Sequence, residues 1–280
     1  MHEGRYRLRH WPLWLLRLAD SGRYGLRLLR PLNKYPLADK AESLSCRPVF
    51  IVSSGRAGTT LLRSMLVVGG QIAIPPESQA IPAAIRRYLS AQHLGWYDLC
   101  RLLVALFESN RNFPLWEIGL HPVYDRTVNL PPTERSLARV VDEIFRFYAA
   151  QKFPEAVLWG DQSPLNTFYW RWINRAFPQA RFVHLLRDGR DVVASLVERG
   201  FSLQWATHRW MTSIEECRAL AQHLDKSRFL EITYEDLVSE PNPSCGKFAN
   251  CWRLIIRPVC STFGNLQPPL SINTSLTIAT

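Results

Sequence analysis

Between Phe50 and Leu66 the sequence reads FIVSSGRAGTTLLRSML, an apolar strand pattern that passes through a glycine-containing loop into a helix pattern. A turn of this kind gathers backbone N–H groups at a helix N-terminus, where hydrogen bonding and the helix dipole both favour an anion. Ser54, Gly55, Arg56, Ala57, Gly58, Thr59 and Thr60 are the candidate donors, and Arg56 brings the positive charge. A nucleoside-triphosphate loop needs G-x-x-x-x-G-K-[ST], with the lysine on the β and γ phosphates and the hydroxyl on magnesium. With Gly58 as the second glycine, Ser53 stands in place of the first and Thr59 in place of the lysine. Taken alone, the stretch reads equally well as a tight glycine turn between a strand and a helix.

A second stretch, RFVHLLRDGRDVVASLVERG from Arg181 to Gly200, decides between these readings. Arg187 ends a buried strand pattern, Asp188-Gly189 turns the chain, and Val192, Val193, Leu196 and Val197 form one face of a helix expected over 190–199. Ser195 and Arg199, four residues apart, share the other face. Arg187, Ser195 and Arg199 can therefore meet at the carboxyl edge of a sheet, where open α/β folds bind ligands. Two guanidinium forks and a hydroxyl suit a phosphate dianion. A solvated helix face with unrelated arginines would explain either motif alone, but two anion sites on one sheet edge favour a ligand.

The elements that must position these residues alternate along the chain. Strands are expected at PVFIVSS, AVLWGD, ARFVHLLR and RFLEITY, and helices at 58–68, 165–177, 190–199, 204–224 and 234–239. Such alternation predicts an α/β fold, a P-loop-like parallel sheet flanked by helices. Residues 80–150 interrupt it with mostly helical sequence, an insertion expected to shape a substrate pocket; Thr133 or Ser136 is placed to cap one of its helices. The chain then divides into a basic extension over 1–47, a domain over 48–241 and a divergent or truncated tail over 242–280. Residues 11–30 pattern as a basic amphipathic helix, which could touch an anionic membrane or, more plainly, dock on the domain through its tryptophans.

Composition narrows the classes. A chain of 280 residues with 47% hydrophobic content has ample material for a core, and a formal charge of +10 predicts an anionic ligand or surface. The basic residues are dispersed and no stacking motif accompanies them, so no nucleic-acid partner is expected. Six cysteines without C-x-x-C spacing fit free thiols in a reducing compartment, and His121, His208 and His223 lack ligand spacing, so no metal is expected. His184 sits in an apolar strand pattern and reads as a core residue. With no secretory leader or membrane-spanning run, the expectation is a cytoplasmic protein.

Four stretches in order, IVSSGRAGTTLLRSML, IAIPPESQAIP, WGDQSPLN with FVHLLRDGRDVVASLVER, and ITYEDLVSEP, resemble the sulfotransferases that use 3′-phosphoadenosine 5′-phosphosulfate. The likeness is nearest to their bacterial and tyrosylprotein branch and spans roughly residues 48–241. The resemblance implies that the loop around Arg56 to Thr60 cradles the 5′-phosphosulfate, that Arg187, Ser195 and Arg199 hold the 3′-phosphate, and that Tyr234 lies near the same nucleotide. It places Glu77 as the general base, with Arg56 stabilising the leaving phosphate oxygen, and it implies an enzyme without a metal cofactor. The structural alternative for Glu77 is a carboxylate at a helix start. Two departures matter: Gln162 stands where the tyrosylprotein branch has a lysine, and the sequence after Pro241 lacks the family's basic closing loop. Two rivals follow, a catalytically impaired nucleotide-binding protein of the same fold and a P-loop kinase, the latter disfavoured by the absent lysine. The acceptor, a hydroxyl or amine compound, is of unknown class.

Overall fold

The computed structural model describes residues 34–39, 44 and 46–240; the expected N-terminal amphipathic helix and the tail over 242–280 lie outside them. Strand β1 (Val49–Val52) is followed by α1 (Thr59–Val68) and a short β2 (Ile72–Ala73). Helices α2 (Ala80–Ser90), α3 (Trp96–Glu108), α4 (His121–Val128) and α5 (Leu137–Lys152) come next. The chain returns to the sheet through β3 (Leu158–Asp161), α6 (Asn166–Ala176), β4 (Arg181–Leu186), α7 (Gly189–Val197), α8 (Leu203–His223), β5 (Phe229–Thr233) and α9 (Tyr234–Ser239).

The five strands lie in the order β2-β3-β1-β4-β5, and every pairing is parallel. Parallel strands need crossovers, and the helices that make them cover both faces. This explains why β1 reads VFIV, apolar at all four positions and fully buried. Side chains alternate between faces along a strand. Phe50 and Val52 therefore join the insertion helices and α6, while Val49 and Ile51 meet Leu62 and Met65 of α1 and Ile232 of β5. On the first face Phe50 stacks on Phe182 and meets Trp159 edge-on, and Trp159 stacks on Phe145 of α5 at 4.4 Å. The indole N–H of Trp159 donates to Asp142 at 2.7 Å, so that aromatic layer keeps its one polar atom paired.

Helix ends follow local chemistry. Ser136 caps α5 by accepting from the N–H of Arg139, and Asp188 caps α7 by accepting from that of Arg190. Helix α7 stops at Val197, two residues before the boundary expected from its pattern. Gly200, at φ +87°, makes the difference: its N–H reaches the carbonyl of Val197, and that of Phe201 reaches Leu196. These paired bonds form a Schellman motif, which ends the helix at a left-handed residue. Arg199 thus sits in the terminating turn rather than on the regular helix face. Among the described residues no helix is long and apolar enough to cross a membrane.

Candidate active site

The loop after β1 is clamped before it reaches any ligand. Thr167 of α6 accepts from the N–H of Ser53 and donates to its carbonyl, both at 2.8 Å, and Ser53 Oγ accepts from Gly55 N–H at 3.2 Å. The chain then takes left-handed conformations at Gly55, Arg56 and Gly58 (φ +80°, +58° and +93°). Gly58 is required twice over, since a Cβ there would come within 2.4 Å of the Tyr234 ring. No side chain caps α1, and its first turn carries no acidic residue. Its leading N–H groups are left for an anion.

Arg56 projects from this loop and donates from Nε to Ser195 Oγ at 3.1 Å. Arg187, at the end of β4, donates to the carbonyl of Arg56 at 3.2 Å and to Asp191 at 3.4 Å. Its guanidinium lies 4.3 Å from the centre of the Tyr234 ring, while its buried Nε has no hydrogen-bond partner among the described residues. Burial and the nearby Arg199 and Arg187 lower the pKa of Arg56. Three guanidinium groups so arranged repel one another, and a bound dianion would relieve that repulsion.

These residues border an open cleft of about 550 Å³. Ser54, Gly55, Arg56, Gly58, Thr59, Thr60, Glu77, Arg187 and Arg199 line it. The rest of the expected set stands behind the wall: Ala57 is buried under the loop, Ser195 holds Arg56, and Tyr234 backs Gly58 and Arg187. Glu77 belongs to a segment pinned by three donors, Arg63 to the carbonyl of Ile74, Trp116 to that of Pro76 and Asn112 to that of Glu77. Its Oε1 accepts from Gln79 Nε2 at 2.5 Å. Gln79 is itself left-handed, and its N–H donates to Ser163 Oγ, which in turn donates to Asp161. Asp161 is wholly buried, and desolvation pushes its pKa up to about 6, against hydrogen bonds from Asn166 and Ser163 that favour the ionised form.

Several details differ from the sequence reading. None of the residues lining the cleft comes from 80–150. The insertion spends its apolar faces on the core and supports the site from behind, through Asn112 and Trp116. Gln162 is 4% exposed, its Oε1 lacks a partner among the described residues, and it does not line the cleft. His184 is 2% exposed and meets Glu231 at 2.8 Å, as suits a core residue. Gln79, Phe201, Trp205 and Arg209 do line the cleft without having been singled out. Phe201 and Trp205 stack at 4.4 Å, and Arg209 is half-buried with its guanidinium 4.0 Å from the centre of the Phe168 ring. The one sequence signal for Trp205 and Arg209 is their four-residue spacing, which puts them on one face of α8; Phe201 precedes that helix. Cys100 and Cys217 are free thiols, and no three His, Cys, Asp or Glu side chains among the described residues converge as metal ligands would.

A parallel sheet with a glycine-containing strand-loop-helix turn at its carboxyl edge defines a P-loop-like α/β protein. The sequence profile of the sulfotransferase family matches residues 48–247, and the chain belongs to that family. It is 25% identical over 232 residues to protein-tyrosine sulfotransferase 2 of Gallus gallus, covering 78% of this chain and 56% of that protein. It is 26% identical over 237 residues to omega-hydroxy-beta-dihydromenaquinone-9 sulfotransferase Stf3 of Mycobacterium tuberculosis (strain CDC 1551 / Oshkosh), covering 69% and 59%. The chain spans less than two thirds of the length of these curated relatives. The fold is shared with the sulfotransferase domain of the Synechococcus PCC 7002 olefin synthase, at a TM-score of 0.51 and 24% identity over 76% of this chain and 75% of that one.

Proposed function

We propose that the protein moves a sulfuryl group from 3′-phosphoadenosine 5′-phosphosulfate to an acceptor hydroxyl or amine. The observation that carries this reading is the meeting of two anion-holding groups in one cleft with a pinned carboxylate. One is the uncapped start of α1 with Arg56; the other is Arg187, with its unpartnered Nε, and Arg199, with Ser195 behind them bonded to Arg56. A nucleotide bearing a 3′-phosphate and a 5′-phosphosulfate fits such a pair, because each group finds donors suited to an oxyanion. When bound, that nucleotide supplies an activated sulfuryl group.

The chain's own residues then divide the work. Loop N–H groups and the hydroxyls of Thr59 and Thr60 hold the 5′ end, and Arg56 sets a fixed positive charge beside it, where preorganised donors act most strongly. Arg187, Ser195 and Arg199 hold the 3′-phosphate, and Arg187 rests over the Tyr234 ring. Glu77 accepts the proton of the acceptor through Oε2, the oxygen that Gln79 leaves open. This reading assigns no metal, because a transferring sulfuryl group bears less charge than a phosphoryl group.

Glu77→Gln tests the chemistry. Size and hydrogen-bonding shape are kept while the proton acceptor is lost, so affinity for 3′-phosphoadenosine 5′-phosphate should hold. Transfer of labelled sulfate should fall by about 10²- to 10⁴-fold. An undiminished rate would place the base elsewhere. Gln162 supports a second reading, a nucleotide-binding protein of impaired chemistry, because its buried amide adds no charge to the cleft. Nucleotide binding without sulfate transfer across a broad acceptor panel would favour it.

A further inference from the structure

We infer that the cleft takes an acceptor carrying an oxyanion, a carboxylate foremost, and that Arg209 is the residue that holds it. The inference rests on the sulfotransferase reading and names the acceptor class which that reading leaves open.

Arg209 lies in the middle of α8 and lines the cleft together with Glu77 and Gln79. Among the described residues it forms no ion pair and no side-chain hydrogen bond; its recorded contact is the Phe168 ring, 4.0 Å from the guanidinium carbon. Stacking covers one flat face of a guanidinium and leaves its in-plane N–H donors unused. Burial pushes the pKa of Arg209 down to about 10, against the opposing pull of the Glu77 charge. An oxyanion entering the cleft would give those donors charge-assisted partners.

The place of Arg209 identifies which ligand. The charges that act on Arg56 are Arg199, Arg187 and Glu198, whereas the one that acts on Arg209 is Glu77. Arg209 thus shares the cleft with the carboxylate assigned to the acceptor's proton and senses its charge, whereas Arg56 senses the cluster assigned to the nucleotide's phosphates. An anion placed there belongs to the acceptor. Trp205, one turn earlier on α8, stacks on Phe201 at 4.4 Å, and the pair gives the cleft an apolar wall. An acceptor with an apolar body, a hydroxyl or amine near Glu77 and an oxyanion on Arg209 meets all three groups. Arg209 also prevents Glu77 from repelling such a molecule.

Three matched pairs test this: glycolate, 4-hydroxybenzoate and 12-hydroxydodecanoate, each against its methyl ester. They are titrated calorimetrically into the full chain, alone and saturated with 3′-phosphoadenosine 5′-phosphate. In at least one pair the acid should bind about tenfold or more tighter than the ester. Arg209→Gln should bring acid and ester to within about twofold, and Arg209→Lys should keep part of the preference, because charge remains while the planar fork is lost. Equal affinity for acid and ester in all three pairs overturns the inference and leaves Arg209 a counter-charge for Glu77; so does a preference that survives Arg209→Gln. Nucleotide titration into the same proteins is scored separately. Acid preference without nucleotide binding would sink the sulfotransferase reading and leave the Arg209 site standing.

Discussion

At the scale of single residues, the cleft depends on contacts that only one or two side-chain types permit. Gly58 and Tyr234 form such a pair, since any Cβ at 58 meets the ring that also supports Arg187. Gly58→Ala should destabilise the protein by about 1 to 3 kcal/mol through backbone strain alone, and by more through the clash. Tyr234→Ala removes the clash, so in the Gly58→Ala background it should cost less than in the wild type. Urea unfolding of the two single variants and the double variant measures that coupling, and additive costs would mean that the ring is free to step aside. Arg187 carries a different expectation: 3′-phosphoadenosine 5′-phosphate should bind far better than 5′-AMP, and Arg187→Ala should erase most of the preference. Losing a charge-assisted contact of this kind costs roughly 1.5 to 3 kcal/mol, or about ten- to a hundredfold in affinity. Calorimetry that finds the two nucleotides equal in the wild type would remove the 3′-phosphate from this pocket. Which residues of the site were legible beforehand follows from how they are encoded. Arg56 and Arg187 lie in loops and turns with local signatures and Ser195 in the short helix that follows one, whereas Arg209 sits in a long helix and enters the cleft only because α8 packs beside α6 and its Phe168.

At the scale of elements, four strands and the helices between them follow from apolar runs and their punctuation, because buried parallel strands and crossover helices have unlike patterns. Strand β2 escaped that reading because it has two residues, Ile72 and Ala73, and exists by pairing with β3 at the edge of the sheet. Support of the Glu77 segment by Asn112 and Trp116 was equally hidden, since nothing in a helical insertion announces which distant carbonyls its side chains will reach. The end of α7 is the most informative boundary. Its Schellman turn places Arg199 at the cap and Phe201 beyond it, so one glycine positions both a candidate phosphate ligand and an apolar wall of the cleft. A Cβ on Gly200 would meet no atom within 4 Å, which leaves only the left-handed backbone to resist substitution. Gly200→Ala should therefore lower stability by about 1 to 2 kcal/mol, read as a shift in the urea midpoint. It should also weaken binding of 3′-phosphoadenosine 5′-phosphate, because Arg199 moves with the turn. A stability loss with unchanged nucleotide affinity would show that Arg199 acts independently of the motif.

At the scale of the whole molecule, the buried network behind the cleft ties folding stability to pH. The Asp161 carboxyl keeps its proton up to about pH 6 in the folded protein and loses it near 3.8 once exposed. Between these values the folded state binds the extra proton, so this group's contribution to stability falls as pH rises, by about 3 kcal/mol in total. Two other carboxylates act in the opposite sense at lower pH: Arg190 holds Asp188 down to about 2, and a hydrogen bond from His184 lowers Glu231. Their stabilisation is present above the ordinary carboxylate range and is lost as pH falls through their folded values. Stability should then rise from about pH 2 to 4 and lose the Asp161 contribution from about pH 4 to 6. Asp161→Asn isolates the second limb. It should be less stable than the wild type near pH 4, where the buried acid is protonated, and the deficit should shrink by about 3 kcal/mol by pH 7. Urea unfolding at unit steps of pH measures it, and a deficit independent of pH would mean that Asp161 does not titrate in this window. Glu77 links this network to the cleft, because its negative charge is one of the causes that keep the proton on Asp161. Glu77→Gln should therefore move the falling limb to lower pH without removing it. A limb that stays in place would show that the carboxylate in the cleft and the one beneath it do not sense each other's charge.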